Sequence, residues 1–199
     1  MGLPFYIVNA FTSDPFAGNP AAIVLLQDYP SADKMQNIAR NFNQPMVSYV
    51  QYVDTADTVA NFNIRWFTIK EEVGYCGHAT LAAAKVVFST RYHIAETVDT
   101  LRFRTTAGRL MEARQNGEWM EMSFAASGIV DPPADEYDHL KAVVRRGLGK
   151  DVTVKYIGLG EVPFQEFVLF EIDEADDLAA CEADAGAFVR DLRILGGRI

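Results

Sequence analysis

Cysteine, histidine and tryptophan are scarce in this chain, which contains two, three and two of them among 199 residues. The two cysteines, Cys76 and Cys181, lie far apart and do not form the dense pattern of a secreted disulfide scaffold. No Cys-x-x-Cys or His-x-x-x-His pair is present, so a structural zinc site has no obvious ligand set. The N-terminus lacks the basic and apolar regions of a signal peptide. These absences predict a cytoplasmic protein without a metal site.

Basic residues are also few, because the chain contains 18 lysines and arginines and 27 acidic residues. Its formal net charge is therefore −9. Such a chain repels phosphate backbones and anionic lipids, so we expect no binding to nucleic acid or to a membrane surface. No apolar run approaches the roughly 18–20 residues of a membrane-spanning helix. Apolar residues nevertheless make up 49% of the chain, which is enough to build a folded core.

The order of apolar segments and turns predicts an α+β protein and disfavours a doubly wound sheet, because strands and helices do not alternate strictly. A helix capped by Ser31 is expected before Pro45. The segment 76–88 is apolar nearly all round, which is typical of a helix enclosed by the fold. The expected strands are 3–9, 21–26, 46–53 and 61–67, followed by a meander over 101–105, 109–114 and 119–124.

A domain boundary is predicted at Asp131-Pro132-Pro133, where the pattern of the first part breaks off. This divides the chain into a first domain, 1–128, and a second domain, 129–199. The second domain is expected to contain an amphipathic helix near 137–148 and strands over 152–159 and 164–172. Its segment 171–184 carries seven acids and no base, which indicates a solvated helix face.

The segment 72–80 places Cys76, Gly77 and His78 at the predicted start of the enclosed helix. The first turn of a helix offers unpaired N–H groups and a partial positive charge, which together suit a carboxylate ligand. The same field is expected to lower the pKa of the thiol, and imidazole exchanges protons near neutral pH. The combination predicts proton transfer at a carbon next to a carboxylate. Alternatively, Cys76 is a small buried apolar residue and His78 a structural histidine.

Four stretches carry a resemblance to a known family: 8–12 (VNAFT), 15–22 (PFAGNPAA), 64–68 (IRWFT) and 76–84 (CGHATLAAA). In order and interval they resemble the PhzF-like isomerases of phenazine biosynthesis and, more distantly, diaminopimelate epimerase and proline racemase. The resemblance implies two similar domains, each a β-barrel-like sheet around a central helix. It places the central helix of the first domain at 76–88 and the site in a cleft between the domains.

The same resemblance implies an isomerase or epimerase that acts on a small carboxylate-bearing molecule. It implies proton transfer without a metal or organic cofactor, in a cytoplasmic protein that forms homodimers. Cys76 and His78 become the candidate acid/base groups. Asn19, Gly77, His78 and Ala79 become the candidate substrate-binding residues.

Two departures from the family pattern lead to an alternative hypothesis. Met46 stands where the family has its catalytic glutamate, and a thioether neither gives nor takes a proton. The Asp-Pro-x-Thr-Gly-Ser motif of the family's second domain has no counterpart, so 129–199 is expected to be an incomplete second domain. The chain is therefore either a PhzF-like isomerase or a catalytically inactive, truncated homologue that retains small-molecule or subunit binding.

Overall fold

The computed structural model describes residues 3–124, 126, 128–161 and 168–184. The chain divides into two compact units, which are Met1–Ala125 and Ala126–Ile199. Both units combine strands and helices, and the predicted α+β class is therefore confirmed. Within the described part of the chain, no helix is long and apolar enough to cross a membrane.

The first unit is built on a curled eight-stranded sheet, in the part that is described. The strands follow the order β1-β2-β3-β4-β6-β7-β8, and the short β5 pairs with β4. The β2–β3 and β4–β6 pairs are parallel, and every other pair is antiparallel. The strands are β1 (Phe5–Ala10), β2 (Asn19–Leu26), β3 (Val47–Ala56), β4 (Val59–Phe67), β5 (Glu72–Val73), β6 (Thr100–Arg104), β7 (Leu110–Asn116) and β8 (Trp119–Phe124).

Helix α1 (Ala32–Phe42) links β2 to β3, as a parallel pair requires. The Ser31 hydroxyl accepts a hydrogen bond from the Lys34 amide at 3.4 Å, so the predicted N-cap is confirmed. The helix ends at Asn43, which adopts a left-handed conformation with φ of 50°. Met35 and Ala39 form its buried face and belong to an apolar cluster on the outer side of the sheet.

Helix α2 (Gly77–Thr90) links β5 to β6 and lies inside the curl of the sheet. Half of its eight buried residues are alanine, and Ala79, Ala82 and Ala83 are at most 1% exposed. Small side chains let the surrounding strands approach the helix closely at interior packing density. The predicted enclosed helix is confirmed, with its start at Gly77 and Cys76 as the N-cap.

The sheet covers α2 with alternate residues of its central strand. Phe62, Ile64 and Trp66 of β4 are each 1% exposed and belong to the same apolar cluster as α2. Side chains alternate between the two faces of a strand, so this spacing turns one face of β4 toward the helix. The strand predicted over 61–67 is confirmed as part of β4.

The second unit is a three-stranded antiparallel sheet with one α-helix in its described residues. Its strand order is β11-β10-β9, and Leu140, Val144 and Ile157 lie at the centre of its core. Residues 164–167 of the expected last strand fall outside the described residues. The elements are β9 (Ile129–Val130), α3 (Tyr137–Leu148), β10 (Val154–Gly160), β11 (Val168–Ile172) and a 3-10 helix (Leu178–Ala180).

The expectation of a solvated helix face over 171–184 is wrong. The segment contains the end of β11, a turn and the 3-10 helix, with no α-helix in the described residues. Asp173 accepts a hydrogen bond from the Ala175 amide at 2.9 Å, and Asp176 accepts one from the Thr153 amide at 2.7 Å. Aspartate side chains that bond to backbone N–H groups stabilise turns in competition with a helix.

Candidate functional site

The start of α2 is held in place by hydrogen bonds from both sides. Cys76 has an extended backbone, with φ of −154°, and its carbonyl accepts a 2.7 Å hydrogen bond from the Thr80 hydroxyl. The Ser48 hydroxyl of β3 donates to the Ala79 carbonyl at 3.1 Å. Since both hydroxyl groups are buried, these bonds fix the first helical turn against the sheet.

A thiol and an imidazole meet at this first turn. The Sγ atom of Cys76 lies 3.3 Å from Nδ1 of His78, and either atom can donate, depending on the histidine tautomer. Cys76 is 7% exposed, and His78 is half-buried. The structure thus brings together the two residues that the sequence singled out as acid/base candidates.

Burial sets the protonation state of this pair. Desolvation raises the pKa of the Cys76 thiol, and the backbone N–H of Ala79 offsets that only in part. Desolvation lowers the pKa of His78, against the opposing effect of the Pro20 carbonyl. The expectation that the helix terminus lowers the thiol pKa is therefore wrong, because burial outweighs the field of the helix. Both groups are neutral near pH 7.

Gly77 gives the helix start an open side. It is half-buried, and a Cβ atom built on it would meet no other atom within 4 Å. The residue also lies on the wall of a cavity of about 910 Å³ in the first unit. A ligand can therefore approach the backbone at this turn without displacing a side chain.

Asn19 and Met46 occupy different surroundings. Asn19 is exposed at the first position of β2, after Gly18, whose φ of 85° and close approach to the Ala10 carbonyl require glycine. Met46, which is 9% exposed, belongs to the apolar cluster that also contains Cys76. The residue at the family's glutamate position is therefore buried in the same apolar cluster as Cys76.

Two buried nitrogen atoms have no hydrogen-bond partner among the described residues. They are Nε1 of Trp66 and Nε2 of His78. Trp66 faces α2 in the apolar cluster and pairs in register with Ser48, whose hydroxyl binds the first turn of the helix. The sequence alone gives no sign that the N–H of Trp66 is unpaired. The position of Trp66 on the inward face of β4 could have indicated that its indole N–H is buried without a partner.

Among the described residues, no group of three or more His, Cys, Asp or Glu side chains could hold a metal ion.

Acidification is expected to weaken the fold through His78. Because burial places the pKa of His78 in the folded chain below its ordinary value of 6.5, the unfolded chain binds the proton more readily as the pH falls through that value. The free energy of unfolding then decreases toward acid. We expect His78→Gln to lose less stability than the unsubstituted protein between pH 7 and pH 5, measured by urea unfolding.

The matched control for this prediction is His139→Gln, because His139 is exposed in the second unit. Its loss between the two pH values should equal that of the unsubstituted protein. Equal losses in the His78→Gln variant would show that the buried imidazole does not couple to folding.

Comparison with known proteins identifies the family to which this chain belongs. The family model described as phenazine biosynthesis-like protein (PhzC-PhzF) matches residues 8–155. The chain is 36% identical over 156 residues to phenazine biosynthesis-like domain-containing protein 2 of Mus musculus, covering 76% of this chain and 53% of that protein. It is 32% identical over 179 residues to an uncharacterized isomerase of Halalkalibacterium halodurans, covering 89% of this chain and 60% of that protein. The chain thus spans about half the length of the curated relatives that it matches.

A solved structure supports the same conclusion at the level of the fold. The crystal structure of a phenazine biosynthesis protein of the PhzF family from Enterococcus faecalis is similar, with a TM-score of 0.67 and 28% identity. The likeness covers 94% of this chain and 64% of that one. The diaminopimelate-epimerase-like fold expected from the resemblance is confirmed. The chain therefore belongs to the phenazine biosynthesis-like PhzC-PhzF family.

Proposed function

We propose that this protein is an isomerase or epimerase that moves a proton on a small carboxylate-bearing molecule without a cofactor. The observation that carries the proposal is the Cys76–His78 pair, with Sγ and Nδ1 3.3 Å apart at a helix start that is open beside Gly77. Membership of a family with relatives named as isomerases supports the reaction class.

The first turn of α2 supplies the binding groups in this proposal. The N–H groups at Gly77, His78 and Ala79 have no backbone partner within the helix, because they precede its first complete turn, and the Ala79 N–H faces the Cys76 thiol. They carry the partial positive charge of the helix terminus, which favours a carboxylate. The substrate carboxylate would bind here, with the reacting carbon next to it and toward the side chains. Asn19, at the start of β2, is a further candidate contact.

His78 and Cys76 would carry the proton. A neutral imidazole is the form that accepts a proton, and burial keeps His78 in that form near pH 7. The thiol beside Nδ1 is protonated for the same reason, so it can donate. The pair thus holds one acceptor and one donor, which is what removal of a proton at one carbon and its return to another require.

A second candidate function is carboxylate binding without turnover. Met46 supports it, because the residue lies in the apolar cluster at the start of α2 and has no ionisable group. Its partners would be the small carboxylate and a second copy of the chain in a homodimer. A cytoplasmic location and the absence of nucleic-acid and membrane partners complete this proposal.

Exchange of solvent deuterium into the substrate tests the catalytic proposal. A panel of cyclic and amino-acid carboxylates is incubated with the protein in D₂O, and the carbon-bound deuterium is measured by mass spectrometry. We expect His78→Ala and Cys76→Ser each to reduce the exchange by about 10²–10⁴-fold, as is typical for the loss of a positioned acid/base group.

The controls are His139→Ala and Cys181→Ser, which remove the same side-chain types from the second unit. Both should exchange at the unsubstituted rate. Exchange that survives His78→Ala would contradict the role of the imidazole. Carboxylate binding measured by calorimetry with no exchange for any compound would support the non-catalytic function.

A further inference from the structure

A buried serine contacts the first turn of α2. Ser48 of β3 is 0% exposed, and its hydroxyl donates to the Ala79 carbonyl at 3.1 Å. Met46 and Val50, the inward residues on either side of it, belong to the apolar cluster around α2. A hydroxyl buried among apolar side chains costs free energy unless it forms a hydrogen bond, and an apolar residue would fill this position without that cost. Core packing alone therefore does not account for a serine here.

The helix does not need the bond from Ser48 to satisfy its own backbone. In an α-helix the Ala79 carbonyl accepts a hydrogen bond from the amide four residues later, so the Ser48 hydroxyl is a second donor to the same oxygen. Because a carbonyl oxygen has two lone pairs, both bonds can form together. What the added bond contributes is the position of the turn relative to the sheet.

The bond reaches Cys76 through one peptide group. The Ala79–Thr80 peptide accepts from Ser48 at its carbonyl, and its N–H donates to the Cys76 carbonyl at 3.2 Å. The Thr80 hydroxyl donates to the same carbonyl at 2.7 Å. Hydrogen bonds in such a chain polarise and strengthen one another. A movement of the Ala79 carbonyl therefore moves the backbone of the residue that carries the thiol.

A second contact holds the other end of the segment that carries the thiol and the imidazole. Arg65 of β4 forms two hydrogen bonds with the Glu72 carboxylate of β5, at 2.7 and 2.6 Å. Paired guanidinium–carboxylate bonds restrict orientation as well as distance. The segment 72–79 is therefore attached to the sheet by Arg65 at one end and by Ser48 at the other. Between them, a Cβ atom on Gly77 would meet no other atom within 4 Å, so the backbone has room to move if one attachment is lost.

We propose that Ser48 is a positioning residue for the Cys76–His78 pair. Its hydroxyl sets the tilt of the first turn of α2, and with it the 3.3 Å separation of Sγ and Nδ1 and the direction of the N–H groups at this turn. Ser48 neither touches the substrate nor exchanges a proton with it. The role rests on the proposed function, because the position of the pair affects turnover only if the pair carries the proton.

Ser48→Ala tests this role through the kinetics of solvent-deuterium exchange. We expect kcat to fall by about 10-fold to 10²-fold with KM nearly unchanged, because a small misplacement of a reacting group slows the chemical step. Ser48→Thr keeps the hydroxyl and should recover most of the lost rate. An unchanged kcat in Ser48→Ala, or a rise in KM alone, would overturn the proposal.

Thr105→Ala is the matched control, because it also removes a buried hydroxyl from the first unit. Thr105 is 5% exposed, and its hydroxyl accepts a hydrogen bond from the Arg109 amide at 3.1 Å, at the turn between β6 and β7. The variant should exchange deuterium at the unsubstituted rate. A fall in kcat equal to that of Ser48→Ala would show that the rate responds to any lost buried hydroxyl, which would contradict a specific role for Ser48.

A measurement without substrate separates this proposal from the proposed function. In protein labelled with ¹⁵N-histidine, an NMR titration follows the ring nitrogens of His78 directly. Because burial lowers the pKa of His78, we expect loosening of the turn in Ser48→Ala to raise that pKa toward 6.5. The Nδ1 resonance should also shift, because its contact with the Cys76 thiol weakens. Thr105→Ala and Ser48→Thr should titrate as the unsubstituted protein does.

The two measurements distinguish the two possible failures. If no carboxylate exchanges deuterium but the His78 titration moves in Ser48→Ala, the proposed reaction is wrong and Ser48 still positions the pair. If the unsubstituted protein catalyses exchange and Ser48→Ala changes neither kcat nor the titration, the serine is structural only.

Thr80→Val tests the same link should Ser48→Ala fail to fold, as judged by its melting temperature. The substitution keeps the shape of the side chain and removes the 2.7 Å bond to the Cys76 carbonyl. We expect the same direction of change in kcat and in the His78 titration as for Ser48→Ala. No change in either would contradict positioning through the Cys76 backbone.

Discussion

Met46→Glu is expected to raise the rate of solvent-deuterium exchange by about 10²–10⁴-fold over the unsubstituted protein. The substitution places an ionisable group at the position of the family's glutamate, at the edge of the apolar cluster that contains Cys76. Burial raises the pKa of a carboxyl group, which brings it toward the range that suits a general acid or base at neutral pH.

Met46→Gln is the matched control, because it has the size and polarity of the glutamate variant but no group that ionises near neutral pH. The exchange rate is measured as for the unsubstituted protein, and the melting temperature of both variants establishes that they are folded. A glutamate variant that is folded, binds carboxylate and is no faster than the glutamine variant would contradict the prediction. Turnover would then be limited by groups other than residue 46.

Phe62→Ala is expected to lower the free energy of unfolding of the first unit by about 3–5 kcal/mol. Phe62 is 1% exposed at the centre of the cluster around α2. Its ring centroid lies 5.7 Å from that of Phe103 and 5.6 Å from that of Tyr52. Truncation removes the buried ring and leaves a cavity that the surrounding strands fill only in part, because they are hydrogen-bonded on both sides.

Urea unfolding followed by tryptophan fluorescence measures this change, because Trp66 is buried in the same cluster and reports on it. The control is Phe16→Ala, which removes the same side chain at a site that is 96% exposed. The control should change the free energy of unfolding by less than about 0.5 kcal/mol. A loss below about 1 kcal/mol in Phe62→Ala would show that the cluster around α2 is loosely packed.

The parts of the fold that local chemistry determines were predictable from the sequence. Ser31 caps α1 because a hydroxyl at that position satisfies a free amide. The hairpin between β7 and β8 turns at Gly117, whose φ of 61° suits the Asn-Gly pair seen in the sequence. The enclosure of α2 follows from its nearly continuous apolar surface.

The properties that depend on burial were not predictable in this way. The helix terminus and the sequence position of Cys76 favour a thiolate, but desolvation in the folded chain raises the thiol pKa instead. The unpaired N–H of Trp66 follows from the burial of its indole in the apolar cluster around α2. In both cases the deciding neighbours are distant in sequence, and the periodicity of one segment carries no information about them.

The position of α2 within the chain has a consequence for the order of folding during synthesis. The helix is covered on one side by β1–β4, which precede it, and on the other by β6–β8, which follow it. The part of its apolar surface that β6–β8 cover therefore stays exposed on the ribosome until Phe124 has emerged and the last hairpin can pair. Chaperones bind nascent chains that expose apolar helices, and such chains aggregate when no chaperone binds them. A pause in translation between Thr90 and Phe124 would prolong that vulnerable interval more than a pause anywhere earlier.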